Sequence, residues 1–382
     1  MSGRADRPEI FFATIAAGGG HVAGAHAMAE SVERHYPGRF GFGISDYMKE
    51  LELARLDGFH KDSWRRALRR PVLARLGQRA IDAFPRLTIA CERRILRGFA
   101  RAAAADLEER TPLLVVSNHG LITTGLAEAK HRYGLRVPVL TFATEVCNIS
   151  AYWGEPRADS VIAASEDGRR RLIRFGVPAE KITVIGRPVR QAFLNAPGKA
   201  EARTRLGLEE RFTCLLSFGG EGVGRNPRGL ISALLDSNVP SQVVAITGRN
   251  KVLKVELRSL WPGTNRLRVE GFVDNMAEYL AASDVFVGKA GPSSVYEALA
   301  VGRPVLASGY AGLNELGVVR FIEREGLGRH IRTTAALARE VRRYAGDPAP
   351  LEEVARRCRG LNLASIAERF AHHIVRYAET GA

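Results

Sequence analysis

Cysteine is scarce in this chain, and what there is lies scattered. Cys91, Cys147, Cys214 and Cys358 form no Cys-x-x-Cys pair and no metal-ligand spacing, so neither a structural zinc nor a disulfide framework is expected. Long apolar runs are missing too: no stretch approaches the ~18 residues that crossing a bilayer requires. The opening residues, MSGRADRPEI, lack the apolar core of a signal peptide. A reduced, cytoplasmic protein is therefore the expectation. No Asp-x-Asp pair occurs, so no metal site and no cofactor is expected. Acids are in deficit: 41 Asp and Glu stand against 56 Lys and Arg, a net charge of +15. An excess of that size implies an anionic partner, which could be a membrane surface, a nucleic acid or an anionic substrate. No aromatic–glycine RNA-binding motif or DNA-reading element accompanies the charge, so nucleic acid is not expected.

What is present suits two ordinary domains. The chain has 382 residues, 46% hydrophobic and 25% charged, as in globular proteins able to bury two cores. The rhythm is strand, turn, helix. Glu9–Ala16 reads as a first parallel strand, and a Gly18-Gly19-Gly20-His21 turn and a helix follow it. This is a nucleotide-fold opening, but not the G-x-G-x-x-G of a nicotinamide site. His21, and His119 after the strand Leu113–Ser117, fall at strand carboxyl ends, where open α/β sheets bind ligands. A lone histidine at such a place is also compatible with a purely structural role.

The most informative stretch is Gly271–Gly326. The strand ending at Gly288 runs into Lys289-Ala290-Gly291-Pro292-Ser293-Ser294 and then into a helix from Val295. Free first-turn N–H groups and the positive end of the helix dipole favour an anion there. Ser293 and Ser294 read either as a simple cap or as phosphate donors. Glu297, one turn in, is placed to accept from a ribose diol. A second glycine turn, Phe218-Gly219-Gly220-Glu221-Gly222, follows the strand Phe212–Ser217. It permits positive φ and close backbone approach.

From Lys49 to Arg110 the chain reads as helices broken at Pro71 and Pro85. Between Lys61 and Arg101 twelve basic residues face three acids, interleaved with Trp64, Leu68, Phe84, Phe99 and other apolar residues. Trp64, Arg65, Arg66, Arg69 and Arg70 are the candidate contacts with an anionic membrane. An Arg-rich solvated helix pair is the alternative.

Three motifs resemble the GT-B glycosyltransferases, in particular the branch of monogalactosyldiacylglycerol synthase and processive diacylglycerol glucosyltransferase. Gly271-Phe272-Val273-Asp274-Asn275-Met276 resembles that branch's G-F-V-x-N-M, and Lys289–Leu299 its K-A-G-P-G-T-x-x-E-A-L. Leu313–Val318 is similar to its G-Q-E-x-G-N, with Asn314-Glu315 where the branch has Gln-Glu and Val318 where it has Asn. Gly248-Arg249-Asn250-Lys251 and Gly186-Arg187-Pro188-Val189-Arg190 also match. Thr144-Glu145 and Trp153 fit its Thr-Asp…Trp pattern with Glu in place of Asp.

The resemblance implies two Rossmann-like domains facing a central cleft, with a C-terminal helix crossing back to the first. The expected limits are 1–190 with a basic insertion at about 46–110, a connector at 191–210, a nucleotide-sugar domain at 211–360 and a final helix at 361–382. It implies a UDP-hexose co-substrate on Gly219, Gly220, Glu221, Gly222, Arg249, Phe272, Val273, Lys289, Gly291, Pro292, Ser293, Ser294, Glu297, Asn314 and Glu315. An acceptor loop of Gly18, Gly19, Gly20, His119 and Trp153 would face a lipid such as diacylglycerol. The base is His21 or Glu145. The location implied is peripheral, on the inner face of the cell membrane. Which sugar is transferred stays open, as do a small hydrophobic acceptor and a UDP-sugar 2-epimerase.

Overall fold

The computed structural model describes residues 7–16, 20–69, 71–310 and 312–381, excluding the side chains at 64, 65, 67–69 and 71. It divides into two units. The first comprises Met1–Arg190, Ala311–Gly317 and Ala364–Ala382; the second comprises Gln191–Tyr310 and Val318–Leu363.

The first unit is built on β1 (Glu9–Thr14), β2 (Gly41–Asp46), β3 (Leu114–Ser117), β4 (Val139–Ala143), β5 (Ser160–Ala163) and β6 (Ile182–Val184). The sheet order is β2-β1-β3-β4-β5-β6, and every pairing is parallel. Runs such as Leu114-Val115-Val116 are buried on both faces, as central parallel strands must be. Phe11, Val115, Ile122, Leu126 and Phe99 form one continuous core beneath the helices. The C-terminal helix Leu363–Thr380 lies on this unit. Phe370 meets Phe142 edge-on at 5.0 Å, and the Arg369 guanidinium donates to the Val184 carbonyl at 2.8 Å.

Four consecutive helices, Ala54–Arg69, Pro71–Ala83, Pro85–Ile95 and Arg97–Arg110, make up the insertion between β2 and β3. Pro71 and Pro85 open their helices at the first position, where a missing N–H costs nothing. Several polar residues that face the unit form ion pairs. Lys61 bridges Asp46 at 2.6 Å and Asp57 at 2.8 Å, Asp82 takes Arg171 at 2.7 Å, and Arg93 holds Glu155. Outward, the same helices present Val72, Leu73, Leu76, Phe84, Leu87 and Ile95, each more than half exposed. Arg66, Arg79, Arg86, Arg94 and Arg97 are exposed among them. Phe99, counted by its sequence context with the interfacial residues, instead lies in the core at 1% exposure, 5.7 Å from Tyr47. No helix among the described residues is long and apolar enough to cross a membrane.

The second unit carries β7 (Phe212–Ser217), β8 (Ser241–Ile246), β9 (Leu267–Glu270), β10 (Val285–Lys289), β11 (Val305–Gly309) and β12 (Gly328–His330), again all parallel. Its order is β12-β11-β10-β7-β8-β9. Counted from β7, that is 3-2-1-4-5-6 reversed end to end, the dinucleotide-fold order. The stretch 191–210 contains two helices, Gln191–Leu194 and Lys199–Leu206, and Arg203 is buried there against Asp284 at 2.9 Å.

Candidate active-site residues on two sheet edges

In a doubly wound sheet, the strands on either side of the switch point send their crossovers to opposite faces. This leaves a crevice at the carboxyl ends of those strands. The switch lies between β1 and β3 in the first unit and between β7 and β10 in the second. Each unit therefore offers one such edge.

On the first edge, β1 is followed by the helix Gly20–His35, whose second residue is His21. Residues 17–19, and with them Gly18 and Gly19, lie outside the described residues. Gly20 is the first residue of that helix. The His21 Nδ1 is 2.8 Å from the Asn118 carbonyl and 3.3 Å from the Thr144 hydroxyl. A carbonyl can only accept, so Nδ1 carries the hydrogen and Nε2 is bare. In return the Asn118 amide donates to the His21 carbonyl at 2.5 Å. Asn118 thus grips His21 at both ends, from 97 residues away. The Arg187 guanidinium, itself buried, donates at 2.5 Å to the Thr144 carbonyl. Burial lowers the pKa of His21 from 6.5 to about 4, so the ring is neutral at neutral pH.

His119 follows β3 and caps the helix Gly120–Tyr133, its Nδ1 accepting from the Leu121 N–H at 3.2 Å. Its ring centroid is 4.8 Å from that of His21, 4.9 Å from that of His60 and 6.4 Å from the ring of Trp153. Trp153 itself is buried in a core cluster beneath β4 and β5. Below the histidines, hydroxyls link Ser117, Thr123 and Thr141 at 2.9 and 3.1 Å, tying β3, the helix after it and β4 together.

Glu145 ends up engaged. One oxygen accepts the Ser150 N–H at 2.6 Å and the other the Asn314 amide at 3.2 Å. Burial raises its pKa from 4.5 to about 7. Asn314 and the buried Glu315 lie in the 311–317 segment grouped with the first unit. There the Leu313 carbonyl also accepts from Asn148 at 2.8 Å.

On the second edge, β7 ends at Ser217 and the chain turns through Gly219 (φ 72°) and Gly222 (φ 64°). The turn is strapped to the loop after β8. The Arg249 N–H donates to the Gly220 carbonyl at 2.9 Å, and the Asn250 amide to the Gly222 carbonyl at 3.1 Å. A Cβ on Gly222 would stand 2.1 Å from the Thr247 carbonyl, and one on Gly248 2.3 Å from that of Gly219. Only glycine lets these backbones meet. Beside them the Arg249 guanidinium stands over the Phe272 ring at 4.6 Å and 3.8 Å from Glu221. Phe272, after β9, is exposed, and Val273 is half-buried.

Lys289 closes β10, and the helix Pro292–Ala300 begins three residues earlier than the sequence reading placed it. Pro292 is its first residue and Gly291 its cap, without a side-chain cap bond. Ser293 and Ser294 are consequently not caps. They sit inside the first turn, where backbone N–H groups have no intrahelical acceptor. Glu297 follows one turn on, partly exposed.

Comparison with known proteins bears on both edges. Residues 34–192 match the family described as Glycosyltransferase Family 4, and 230–307 the Glycosyltransferase family 28 C-terminal domain. The UDP-glucose complex of Anabaena HepE superposes with a TM-score of 0.58 at 14% identity, covering 97% of this chain and 100% of that one. The chain has the GT-B fold. In sequence it resembles the branch its motifs imply. It is 30% identical to the chloroplastic monogalactosyldiacylglycerol synthase of Spinacia oleracea over 65% of this chain and 50% of that protein. It is 26% identical to the processive diacylglycerol beta-glucosyltransferase of Staphylococcus saprophyticus, over 64% of this chain and 62% of that one. The chain thus spans about half the length of the plant relatives it matches.

Of the residues implicated by sequence, the first edge brings together His21 and His119, with Trp153 behind them. The second brings together Gly219–Gly222, Arg249 and Phe272, and separately sets Lys289 and Gly291–Ser294 at the other side of its switch point. Trp64, Arg65, Arg69 and Arg70 fall on side chains outside the described residues. Sequence reasoning did not single out His60, Asn118 or Arg187. The Gly-Arg-Pro motif was the one available pointer to Arg187. His60 sits in an Arg-rich helix with nothing local to mark it.

Proposed function

We propose that the protein is a glycosyltransferase that moves a hexose from a UDP-sugar to a lipid hydroxyl, by inversion and without a metal, at an anionic membrane surface on the cytoplasmic side. The observation that carries this reading lies in the first unit. A histidine of fixed tautomer, neutral at neutral pH, stands at its switch point. The insertion of the same unit turns an apolar and arginine-bearing face outward. A neutral base suits a hydroxyl acceptor, and an apolar–basic face suits a lipid interface. The resemblance to enzymes named for diacylglycerol supports the choice of acceptor class.

The second unit would hold the donor. Glu297 would accept from the ribose hydroxyls, and Phe272 and Val273 would meet the base. The first-turn N–H groups after Gly291 and the Gly219–Gly222 turn would hold the diphosphate, with Arg249 and Lys289 adding charge. In the step itself the acceptor oxygen bonds to the anomeric carbon as the bond from that carbon to the diphosphate oxygen breaks. The electron pair leaves with UDP, and the acceptor's proton passes to the bare Nε2 of His21. Preorganised N–H groups and cations meet the charge that develops on the leaving group. Glu145 has both oxygens already accepting, from the Ser150 N–H and the Asn314 amide, and is assigned a positioning role.

The test is a donor screen with UDP-glucose and UDP-galactose, offered alone, with diacylglycerol vesicles or with small hydrophobic alcohols, and read by mass. A hexosyl-diacylglycerol product is expected. Conversion of the UDP-sugar without acceptor would point to an epimerase, and product only with small alcohols would remove the lipid from the reading. Vesicle sedimentation gives a second readout: binding to anionic vesicles at low salt that weakens steeply at high salt.

A further inference from the structure

The two histidines on the first edge are the same residue type in opposite states. At His21 the hydrogen is on Nδ1, because its partner there is a carbonyl, that of Asn118 at 2.8 Å. At His119 the partner of Nδ1 is a donor, the Leu121 N–H at 3.2 Å. Its Nδ1 is therefore bare and its hydrogen sits on Nε2. Neither Nε2 has a hydrogen-bond partner among the described residues. Two rings whose centroids are 4.8 Å apart, tilted by 57°, thus carry one bare nitrogen and one N–H.

We propose that His119 binds the acceptor hydroxyl directly, donating its Nε2–H to the oxygen whose proton His21 removes. This rests on the transferase reading above. The pairing selects for a hydroxyl. A phosphate oxygen would call for two donors and a cation for two acceptors, whereas an alcohol uses one of each. Occupying one lone pair of the acceptor oxygen leaves another aimed for attack, which is a gain in orientation. As the proton departs, the same N–H stabilises the charge that builds on the oxygen.

Both rings must be neutral for these tautomers to exist. Burial lowers the pKa of each, and the neighbouring rings of His21 and His60 lower that of His119 further. The His60 ring, from the insertion helix Ala54–Arg69, packs perpendicular to His119 at 4.9 Å and helps to fix its plane.

Two side-chain replacements separate the cap from the donor. His119→Asn keeps an acceptor near the Nδ1 position for the Leu121 N–H and removes the donor. His119→Gln places an amide N–H near the Nε2 position. With UDP-glucose or UDP-galactose, whichever is transferred, and diacylglycerol vesicles, His119→Asn should cut kcat ten- to a hundredfold and raise KM for the acceptor. UDP affinity should be unchanged, and His119→Gln should recover at least a third of the lost rate. Wild-type rates in His119→Asn, or equal losses in both variants, would overturn the proposal. A second measurement needs no turnover. Long-range 1H–15N spectra of the full chain labelled at histidine should show His21 protonated on Nδ1 and His119 on Nε2. Matching tautomers would refute the donor–acceptor pair even in an active enzyme. If the tautomers are as stated and no acceptor is glycosylated, the transferase reading fails and only the donor–acceptor pair of ring nitrogens stands.

Discussion

At the carboxyl edge of the first sheet the residues after the strands are rings, amides and hydroxyls: His21 after β1, Asn118 and His119 after β3, Thr144 after β4. At the same edge of the second sheet they are glycines and cations: Gly219–Gly222 after β7, Gly248 and Arg249 after β8, Lys289 and Gly291 at the end of β10. The scaffold is the same in kind, a parallel sheet with a switch point. The first edge presents side-chain atoms whose protonation is set by burial and by backbone partners. The second is made of main chain, where glycine lets the turns after β7 and β8 meet and a helix opens after β10. One arrangement suits a neutral group that must lose a proton, the other an anion that must leave. The first can be altered by changing a side chain and the second chiefly by adding one.

The largest expected effect is on the first edge. His21→Ala should lower transfer by ~10²–10⁴ and leave UDP binding by calorimetry where it was. Loss of UDP affinity in that variant would blur the division between the edges. On the second edge, Gly222→Ala must place a Cβ 2.1 Å from the Thr247 carbonyl at φ 64°. It should abolish UDP binding measurable by calorimetry and leave the His21 tautomer seen in 1H–15N spectra unchanged. Glu297→Ala, which removes a charged acceptor without disturbing the turn, should weaken UDP by about ten- to a hundredfold, from a loss of ~1.5–3 kcal/mol. Equal UDP affinity in a folded Glu297→Ala protein would remove Glu297 from the donor site.

Dependence on pH should probe the first unit from both sides. Burial lowers the pKa of His21 to about 4, and lowers those of His119 and His60 as well. These rings resist protonation when folded, so the stability they contribute is present above 6.5 and lost as pH falls toward 4. Glu92 and Glu145 act in the opposite sense. Burial raises them to about 8 and about 7, so the folded state holds protons the unfolded chain gives up. Their contribution therefore fades as pH rises from about 4.5 through those values. Glu92 is the sharper probe, because among the described residues one of its oxygens has no partner and the other only the Thr124 hydroxyl at 3.2 Å. Glu92→Gln should raise Tm at pH 9, by an amount on the order of a few kcal/mol in stability, and change little at pH 5. An unchanged Tm at pH 9 would mean that Glu92 ionises in the folded protein without cost.

The two edges were unequally legible in the sequence. The second is written locally. Glycines, a proline and serines lie within a few positions of a buried strand, so a reader of the chain meets the site as a word. Even so, Pro292 shifted the helix start and turned two supposed caps into first-turn residues. The first edge is assembled from a distance. The grip of Asn118 on His21 uses a backbone carbonyl, which no residue type announces. His60 reaches its neighbours from a helix whose next residue, Lys61, is paired with Asp46 at the end of β2. Apolar residues in the insertion could not be sorted into inward and outward from an Arg-rich pattern, so Phe99 was misplaced while Phe84 and Leu87 were not. The strand β12 escaped notice because three residues, one of them charged, carry no period.

The smallest effect concerns charge on the second edge. Arg249 is well suited to isolate it, because its backbone and side chain do separate things. Its N–H holds the Gly220 carbonyl at 2.9 Å whatever the side chain is, so replacing the side chain leaves the turn seated. The guanidinium, by contrast, is largely exposed, stands over Phe272 at 4.6 Å and lies 3.8 Å from Glu221. An exposed cation over an aromatic ring is worth about 0.5–1 kcal/mol, and an exposed charge near a diphosphate is screened by salt. Arg249→Gln should therefore weaken UDP only about three- to fivefold at low ionic strength, with the difference shrinking as salt rises. Calorimetry at two salt concentrations measures both. A variant that binds UDP like the wild type at low salt would remove Arg249 from the donor site and leave the diphosphate to Lys289 and the backbone N–H groups.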